Sequence, residues 1–163
     1  MHWRKKAVLA AALCLSLWSA GTAEARIDSS HMALGGIREG TAEAELYRIY
    51  GPPKTIVRNF SAAQDQYVRE YNYGDSFFVL VTEADHRVRW AMAQDTPNAM
   101  TTPEGIGIGS SLNSVLGAYG APDLRQIDGE VDYLWYFSDD GSPSRLVFCV
   151  SYSKVVGITC GSR

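Results

Sequence analysis

Apolar side chains in two stretches of the chain change from a helical spacing to a strand-like spacing in the same order. In the first stretch Leu46, Ile49 and Tyr50 share one face of a short helix of about nine residues. In both stretches the helix is followed by segments in which apolar and polar residues alternate, which is typical of strands. The predicted strands cover residues 67–73, 77–82, 88–93, 131–137, 145–152 and 155–160.

The two stretches are copies of one sequence pattern. Residues 36–53 match residues 105–122 at a constant offset of 69, with Gly, Ile, Gly, Thr or Ser, Leu or Val, Tyr, Gly and Pro recurring in step. Such internal similarity is the signature of a tandem repeat. The sequence therefore predicts an α+β fold of two tandem repeats, each a short helix packed on a three-or-four-stranded antiparallel sheet, whose sheets could join into one concave surface.

The repeats are predicted to span residues 36–94 and 105–163, after an N-terminal segment of residues 26–35. Residues 95–104 are polar and contain two prolines, so we interpret them as a linker between the repeats.

The ends of both predicted helices carry recognisable signals. Thr41 and Ser110 each follow a glycine, and their hydroxyls can accept hydrogen bonds from the exposed amides of a new helix. Gly51 and Gly120 can adopt the left-handed conformation that ends a helix, and a proline two residues further on prevents its continuation. We therefore expect a hydroxyl cap and a glycine stop in each copy.

A single helix covers one face of each sheet, so the other face is either open or packed against its counterpart. Aromatic residues alternate along the first predicted strand of each copy, and such side chains supply large contact areas in protein interfaces. Core packing explains these rows equally well, and alternation alone does not tell which face is open. The residues predicted to contact a partner are Tyr71, Tyr73, Trp90, Tyr133, Trp135 and Tyr136.

The N-terminus has the layout of a secretory signal peptide. Three basic residues at 4–6 precede an apolar run at 7–18, and Ala23-Glu24-Ala25 has the A-x-A form of a cleavage site. The run is shorter than the ~20 apolar residues of a membrane anchor. We expect removal of residues 1–25 and export to the periplasm or the extracellular space. Cleavage takes the net charge from −3 to −5 by removing three basic residues and one acidic residue, so no nucleic acid partner is expected.

Two cysteines, Cys149 and Cys160, remain after the predicted cleavage. Since exported proteins meet oxidising conditions, we predict a disulfide between them, with two buried thiols as the alternative. Direct pairing of these residues across the last hairpin requires a four-residue loop at 153–156, or a bulge with the same effect.

Residues that could support catalysis are few. His31 and His86 are far apart in the chain, which is too little for a metal site or an acyl-transfer triad. Asp139 and Asp140 could act with Asp132 or Glu130 as the carboxylates of a glycosidase, but Asp-Asp-Gly is typical of a turn. Residues 85–87 are interpreted as a solvated hairpin tip. No enzymatic activity, metal or cofactor is predicted.

The repeated motif resembles the beta-lactamase inhibitor protein family and the related SmpA/OmlA-type envelope lipoproteins. The resemblance covers nearly the whole mature chain, and its carrying residues are Gly40-Thr41, Tyr50-Gly51-Pro52-Pro53, Gly109-Ser110, Tyr119-Gly120-Ala121-Pro122, Tyr133-Leu134-Trp135-Tyr136 and Val155-Val156-Gly157-Ile158. It implies tandem helix-plus-antiparallel-sheet units that grip an enzyme with an aromatic concave sheet face and hairpin turns. Unlike the lipoproteins, the chain has two units and no small residue before Cys14 to direct lipidation.

These observations predict an exported, non-enzymatic protein-binding module that acts as an inhibitor of, or a scaffold for, an envelope or secreted protein. The alternative is a periplasmic carrier whose aromatic residues line a pocket for a sugar, a peptide or a lipid fragment. A broad open aromatic face favours the first function, whereas a closed cavity of several hundred cubic ångströms favours the second.

Overall fold

The computed structural model describes residues 26–162, so the predicted signal peptide at 1–25 lies outside the described residues. After a short 3-10 turn at Ser29–His31, the described chain forms two helices and eight strands. These are α1 (Glu43–Tyr50), β1 (Thr55–Ser61), β2 (Gln66–Gly74), β3 (Phe77–Thr82), β4 (Val88–Gln94), α2 (Leu112–Tyr119), β5 (Leu124–Asp128), β6 (Val131–Phe137), β7 (Arg145–Ser151) and β8 (Lys154–Gly161). None of the described helices is long and apolar enough to cross a membrane.

The strands form one antiparallel sheet in the order β1-β2-β3-β4-β8-β7-β6-β5. The first half of the chain (α1 and β1–β4) joins the second half (α2 and β5–β8) because β4 pairs with β8, with Ala91 opposite Cys160 and Ala93 opposite Ile158. The predicted fold class of two repeats, each a helix on its own small sheet, is therefore wrong. An apolar strand left at a sheet edge would expose unpaired N–H and C=O groups, and the β4–β8 pairing satisfies them.

The six predicted strands appear as β2, β3, β4, β6, β7 and β8, each within one residue of the predicted bounds. The sequence analysis missed β1 and β5, which are the two edge strands. Nearly every side chain in both is exposed. An edge strand without a buried face leaves no apolar alternation to recognise.

Each helix begins one residue later than predicted, since the N-caps are Ala42 and Ser111 instead of Thr41 and Ser110. Ser111 is the N-cap of α2, and its hydroxyl accepts a hydrogen bond from the N–H three residues on at 3.0 Å. The hydroxyls of Thr41 and Ser110 instead accept from the N–H groups of Arg38 and Gly107, at 3.2 and 3.1 Å. They therefore close the turn before each helix instead of capping it.

The predicted glycine stops are confirmed. Gly51 and Gly120 lie at the C-caps with φ of 70° and 75°. Their N–H groups donate to the carbonyls of Tyr47 and Leu116 at 2.8 and 2.9 Å, so the last turn of each helix keeps its hydrogen bonds.

Both helices lie on the same face of the sheet and cover a single hydrophobic core. Leu46 of α1 and Val115 of α2 are fully buried there. The largest buried aromatic side chains come from both halves of the chain, and they are Tyr71, Phe77, Tyr136 and Phe148.

A charged network fixes the start of α1 to the sheet. The Glu43 carboxylate accepts a hydrogen bond from the Tyr71 hydroxyl, lies 2.8 Å from Arg69 Nη1 and lies 2.7 Å from His86 Nδ1. Burial by itself would raise the pKa of Glu43, but the hydrogen bonds from Tyr71, His86 and Arg69 outweigh it and hold the pKa below 4.5. Glu43 is therefore ionised in the folded protein at neutral pH.

Replacing Glu43 by glutamine is expected to lower the free energy of unfolding by about 1.5–3 kcal/mol at neutral pH, because hydrogen bonds to a charged group are lost. The lowered pKa means that the stabilisation by Glu43 is present above its ordinary pKa of 4.5 and is lost as the pH falls through the folded value. Urea unfolding at a series of pH values should show the two proteins converging in acid.

Glu45→Gln is the matched control, since Glu45 lies in the same helical turn but forms an exposed pair with Arg48. An equal loss of stability in both variants, or a difference that does not depend on pH, would contradict the network's role.

Candidate functional site: the open face of the sheet

Alternation along β3 separates two faces of the sheet. Phe77, Val79 and Val81 point to the helices and belong to the core, so Phe78 and Leu80 point to the other side. We call this side the open face, because neither described helix covers it. Residues that pair between neighbouring strands lie on the same face. The strand register therefore shows which residues of the other strands lie on the open face.

In the first half, the open face carries an apolar cluster. Trp90 pairs with Leu80 and Met92 pairs with Phe78, and Val68 of β2 completes the group. Trp90, Leu80 and Val68 are largely buried by packing on one another, whereas Phe78 and Met92 are half-buried. The cluster is thus a packed apolar surface.

In the second half, Tyr133 and Trp135 of β6 form a second ridge, and both are half-buried. Across from them on β7 lie Cys149 and Val147. The Arg145 guanidinium lies 5.9 Å from the centre of the Trp135 ring, which places one exposed positive charge beside the aromatic surface.

Between the two ridges, β8 presents only small residues to the open face. Gly157, Thr159 and Gly161 are the partners of Gln94, Met92 and Trp90 on one side. Their small side chains leave a groove of about 150 Å³. This groove is lined by Tyr133, Trp135, Arg145, Val147, Cys149, Thr159 and Gly161.

Three of the six residues predicted to contact a partner lie on the open face. Tyr133 and Trp135 line the groove, whereas Trp90 lies outside its lining on β4, opposite Gly161. Sequence reasoning missed Met92 and Thr159. Met92 could have been found because it lies two residues after Trp90 and therefore on the same face of the strand. Thr159 lies between Gly157 and Gly161, and glycines within a strand mark a close approach of another group.

The other three tyrosines lie on the helix side of the sheet. Tyr71 and Tyr136 are completely buried, and the Tyr136 hydroxyl donates to the carbonyl of Gly120 at 3.0 Å. Burial raises the pKa of Tyr136 to about 12 and that of Tyr71 still further. Tyr73 is half-buried against Tyr50 of α1, with ring centres 5.3 Å apart. Tyr71 and Tyr136 are structural residues that no partner can touch, so the prediction for them does not hold in the folded protein.

No disulfide joins Cys149 to Cys160. Cys149 pairs with Gly157 and lies on the open face, whereas Cys160 pairs with Leu146 and lies in the core. The hairpin closes through a two-residue turn at 152–153 with positive φ, and a bulge follows Cys149. The predicted four-residue loop and the pairing of the two cysteines are wrong, because this turn and bulge set a different register. Burial raises the pKa of the Cys160 thiol to about 12.

The described residues contain no group of three or more His, Cys, Asp or Glu side chains that could hold a metal ion. His31 lies 2.6 Å from Glu104, while His86 belongs to the network around Glu43. The two histidines therefore contact different carboxylates.

Comparison with known proteins finds no matching family model and no matching curated protein. Solved structures of similar fold include a cysteine-rich secretory protein from Staphylococcus aureus, with TM-score 0.52 and 11% identity over 86% of this chain and 49% of that one. An extracellular SCP-domain protein from Bacillus anthracis has TM-score 0.43 and 15% identity over 99% of this chain and 50% of that one. A candidate beta-lactamase inhibitor protein from Streptococcus mutans has TM-score 0.30 and 10% identity over 76% and 90%.

The fold and the open face define the chain as an antiparallel eight-stranded sheet with two helices on one side and an apolar surface on the other. The chain spans about half the length of the Staphylococcus aureus and Bacillus anthracis proteins. At 11% identity, the likeness to the former shows a shared fold alone. The predicted resemblance to the SmpA/OmlA-type lipoproteins stays a prediction.

Proposed function

We propose that this protein is an exported, non-enzymatic module that binds another protein through the open face of its sheet. The observation that carries the proposal is the pair of aromatic and apolar ridges, with Trp90 and Met92 on one and Tyr133 and Trp135 on the other. Tryptophan, tyrosine and methionine are enriched in protein interfaces, and a few of them usually supply most of the binding energy.

The groove between the ridges supports a protein partner over a small-molecule cargo. Its volume of about 150 Å³ suits one apolar side chain of a partner, whereas pockets that enclose small ligands usually measure about 300–1,000 Å³. The carrier interpretation of the aromatic residues is therefore the weaker one. Arg145 at the edge of the groove favours an acidic group next to the inserted side chain.

The first ridge is packed before binding, which reduces the entropy lost when a partner covers it. Trp90 and Leu80 pack directly on each other, and both lie on paired central strands of the sheet. Side chains held in one conformation before binding lose less freedom when a partner covers them. Inhibition of an enzyme and scaffolding of an envelope or secreted protein are both compatible with such a surface.

Trp135→Ala is expected to weaken binding of the partner by about 2 kcal/mol, a loss of at least tenfold in affinity. The partner would be captured on the mature chain from envelope and secreted fractions, purified, and titrated by calorimetry against each variant. Thr159→Arg should weaken binding similarly, because it fills the groove without removing an aromatic residue.

The control is Tyr152→Ala, which removes a large but highly exposed aromatic side chain from the β7–β8 turn. Unchanged affinity in both Trp135→Ala and Thr159→Arg would rule out the open face as the binding surface, as would an equal loss in Tyr152→Ala.

A further inference from the structure

A second concave site lies at one end of the central strands, away from the aromatic ridges. It is a cleft of about 410 Å³ between the segment before α1, the start of β4 and the loop before β7. Unlike the groove on the open face, it contains no aromatic side chain in its lining. Three arginines (Arg38, Arg87 and Arg89) and three carboxylates (Glu39, Asp85 and Asp140) contribute to its walls. We call this site the charged cleft.

One of these arginines is neutralised within the protein. Arg89 Nη1 lies 3.2 Å from Glu39 Oε1, and both side chains are mostly buried. The Glu39 carboxylate also accepts hydrogen bonds from the hydroxyls of Ser144 and Ser162. This network ties the segment before α1 to β4, β7 and the end of β8, so the wall of the cleft is a fixed structure.

The other two arginines have no carboxylate partner among the described residues. Arg87 Nη1 donates to the carbonyl of Gly40 at 2.7 Å, which fixes the side chain but leaves its charge unpaired. The Arg38 guanidinium makes no ion pair or hydrogen bond with any described residue. Two guanidinium groups in one cleft offer several N–H donors in the planar arrangement that matches a carboxylate or a phosphate.

Besides Glu39, which is paired with Arg89, two acidic side chains line the cleft, and they are Asp85 and Asp140. A hydrogen bond from the Thr82 hydroxyl holds the pKa of Asp85 below its ordinary value, and one from the Ser138 hydroxyl does the same for Asp140. Both are therefore ionised acceptors at neutral pH. Carboxylates beside a guanidinium pair disfavour a bare anion but accept hydrogen bonds from hydroxyl groups of a ligand.

We propose that the charged cleft binds a small organic oxyanion that also carries hydroxyl groups, the chemistry shared by a sugar acid and a sugar phosphate. Arg38 and Arg87 hold the oxyanion, and Asp85 and Asp140 accept from the hydroxyls. The volume of the cleft is within the range of sites that take small molecules. The site shares no lining residue with the aromatic groove, so it does not depend on the function proposed for the open face.

The test is a calorimetric titration of the mature protein with glucuronate, with glucose 6-phosphate and with glucose. We expect at least one of the two anionic sugars to bind and glucose to bind much more weakly. Binding of glucuronate alone identifies a carboxylate ligand, and binding of glucose 6-phosphate alone identifies a phosphate ligand. Failure of both anions to bind at millimolar concentration would overturn the proposal, as would equal binding of glucose.

Variants locate the binding in the cleft. Arg38→Gln and Arg87→Gln should each weaken binding about tenfold or more, because each removes charged donors. Arg38→Lys keeps the charge without the planar fork and should weaken binding less. The control is Arg48→Gln, which removes an exposed positive charge on α1 outside the cleft. An effect of Arg48→Gln as large as that of Arg38→Gln would show that only the overall charge matters.

Discussion

Replacing Gly161 by alanine is expected to destabilise the fold by about 3 kcal/mol or more. Gly161 has a φ of 124°, a conformation that residues with a side chain rarely adopt. A Cβ at this position would lie 2.1 Å from the carbonyl oxygen of Arg89 and 2.7 Å from the Cα of Trp90. Both are backbone atoms of β4, so relief of the clash requires the β4–β8 pair, which joins the two halves, to separate.

The matched comparison is Gly157→Ala on the same strand. There a Cβ would meet only the Cys149 side chain, at 3.2 and 3.3 Å, and φ lies outside the left-handed range. We expect a clearly smaller loss, measured for both variants by urea denaturation at neutral pH. If Gly157→Ala costs as much as Gly161→Ala, the close approach of β4 and β8 does not restrict the residue at position 161.

The central part of the sheet could be predicted from the sequence because its strands bury one face. The apolar run of β3 and the alternating aromatic residues of β6 predicted both strands with their correct bounds. Strands β1 and β5 lack such a face. The pairing of β4 with β8 could not be predicted from local pattern, since a repeat tells what each half contains and not how the halves join.

The same limit explains the mixed result for the aromatic residues. A period of two shows that Tyr133 and Trp135 share one face and that Tyr136 lies on the other, but it does not show which face the helix covers. In the structure, contacts between the helices and the sheet decide this. Glu43 of α1 accepts from Tyr71, and Tyr119 of α2 packs on Tyr136 with ring centres 5.5 Å apart.

The charged cleft could not be predicted from the sequence for a different reason. Arg38 and Arg87 belong to segments that are distant in the chain, and residues 85–87 have the composition of an ordinary hairpin tip. The fold brings these segments together through backbone hydrogen bonds, in which Gly40 N–H donates to the Val88 carbonyl at 2.8 Å and Val88 N–H donates to the Thr41 carbonyl at 2.9 Å. Such a pairing depends on register and has no local signature.

Truncation of a buried phenylalanine in either half is expected to destabilise the whole molecule. Phe77 of β3 and Phe148 of β7 are both in the single core cluster that spans the two halves. Phe77→Ala and Phe148→Ala should each lower the free energy of unfolding by about 3–5 kcal/mol. The measurement is hydrogen exchange at increasing urea concentration, with amides of β2–β3 and of β6–β7 followed separately in each variant.

We expect the amides of both halves to lose protection at the same urea concentration in each variant. Units of ~60–70 residues are only marginally stable alone. The β4–β8 pairing adds the strands of each half to the sheet of the other. If the amides of β6–β7 lose protection in Phe148→Ala while those of β2–β3 stay protected, the halves are separate folding units. The β4–β8 pairing is then only a contact between them. Coincident loss of protection means instead that the β4–β8 pairing is part of one cooperative fold. A partner bound on the open face would then stabilise both halves together.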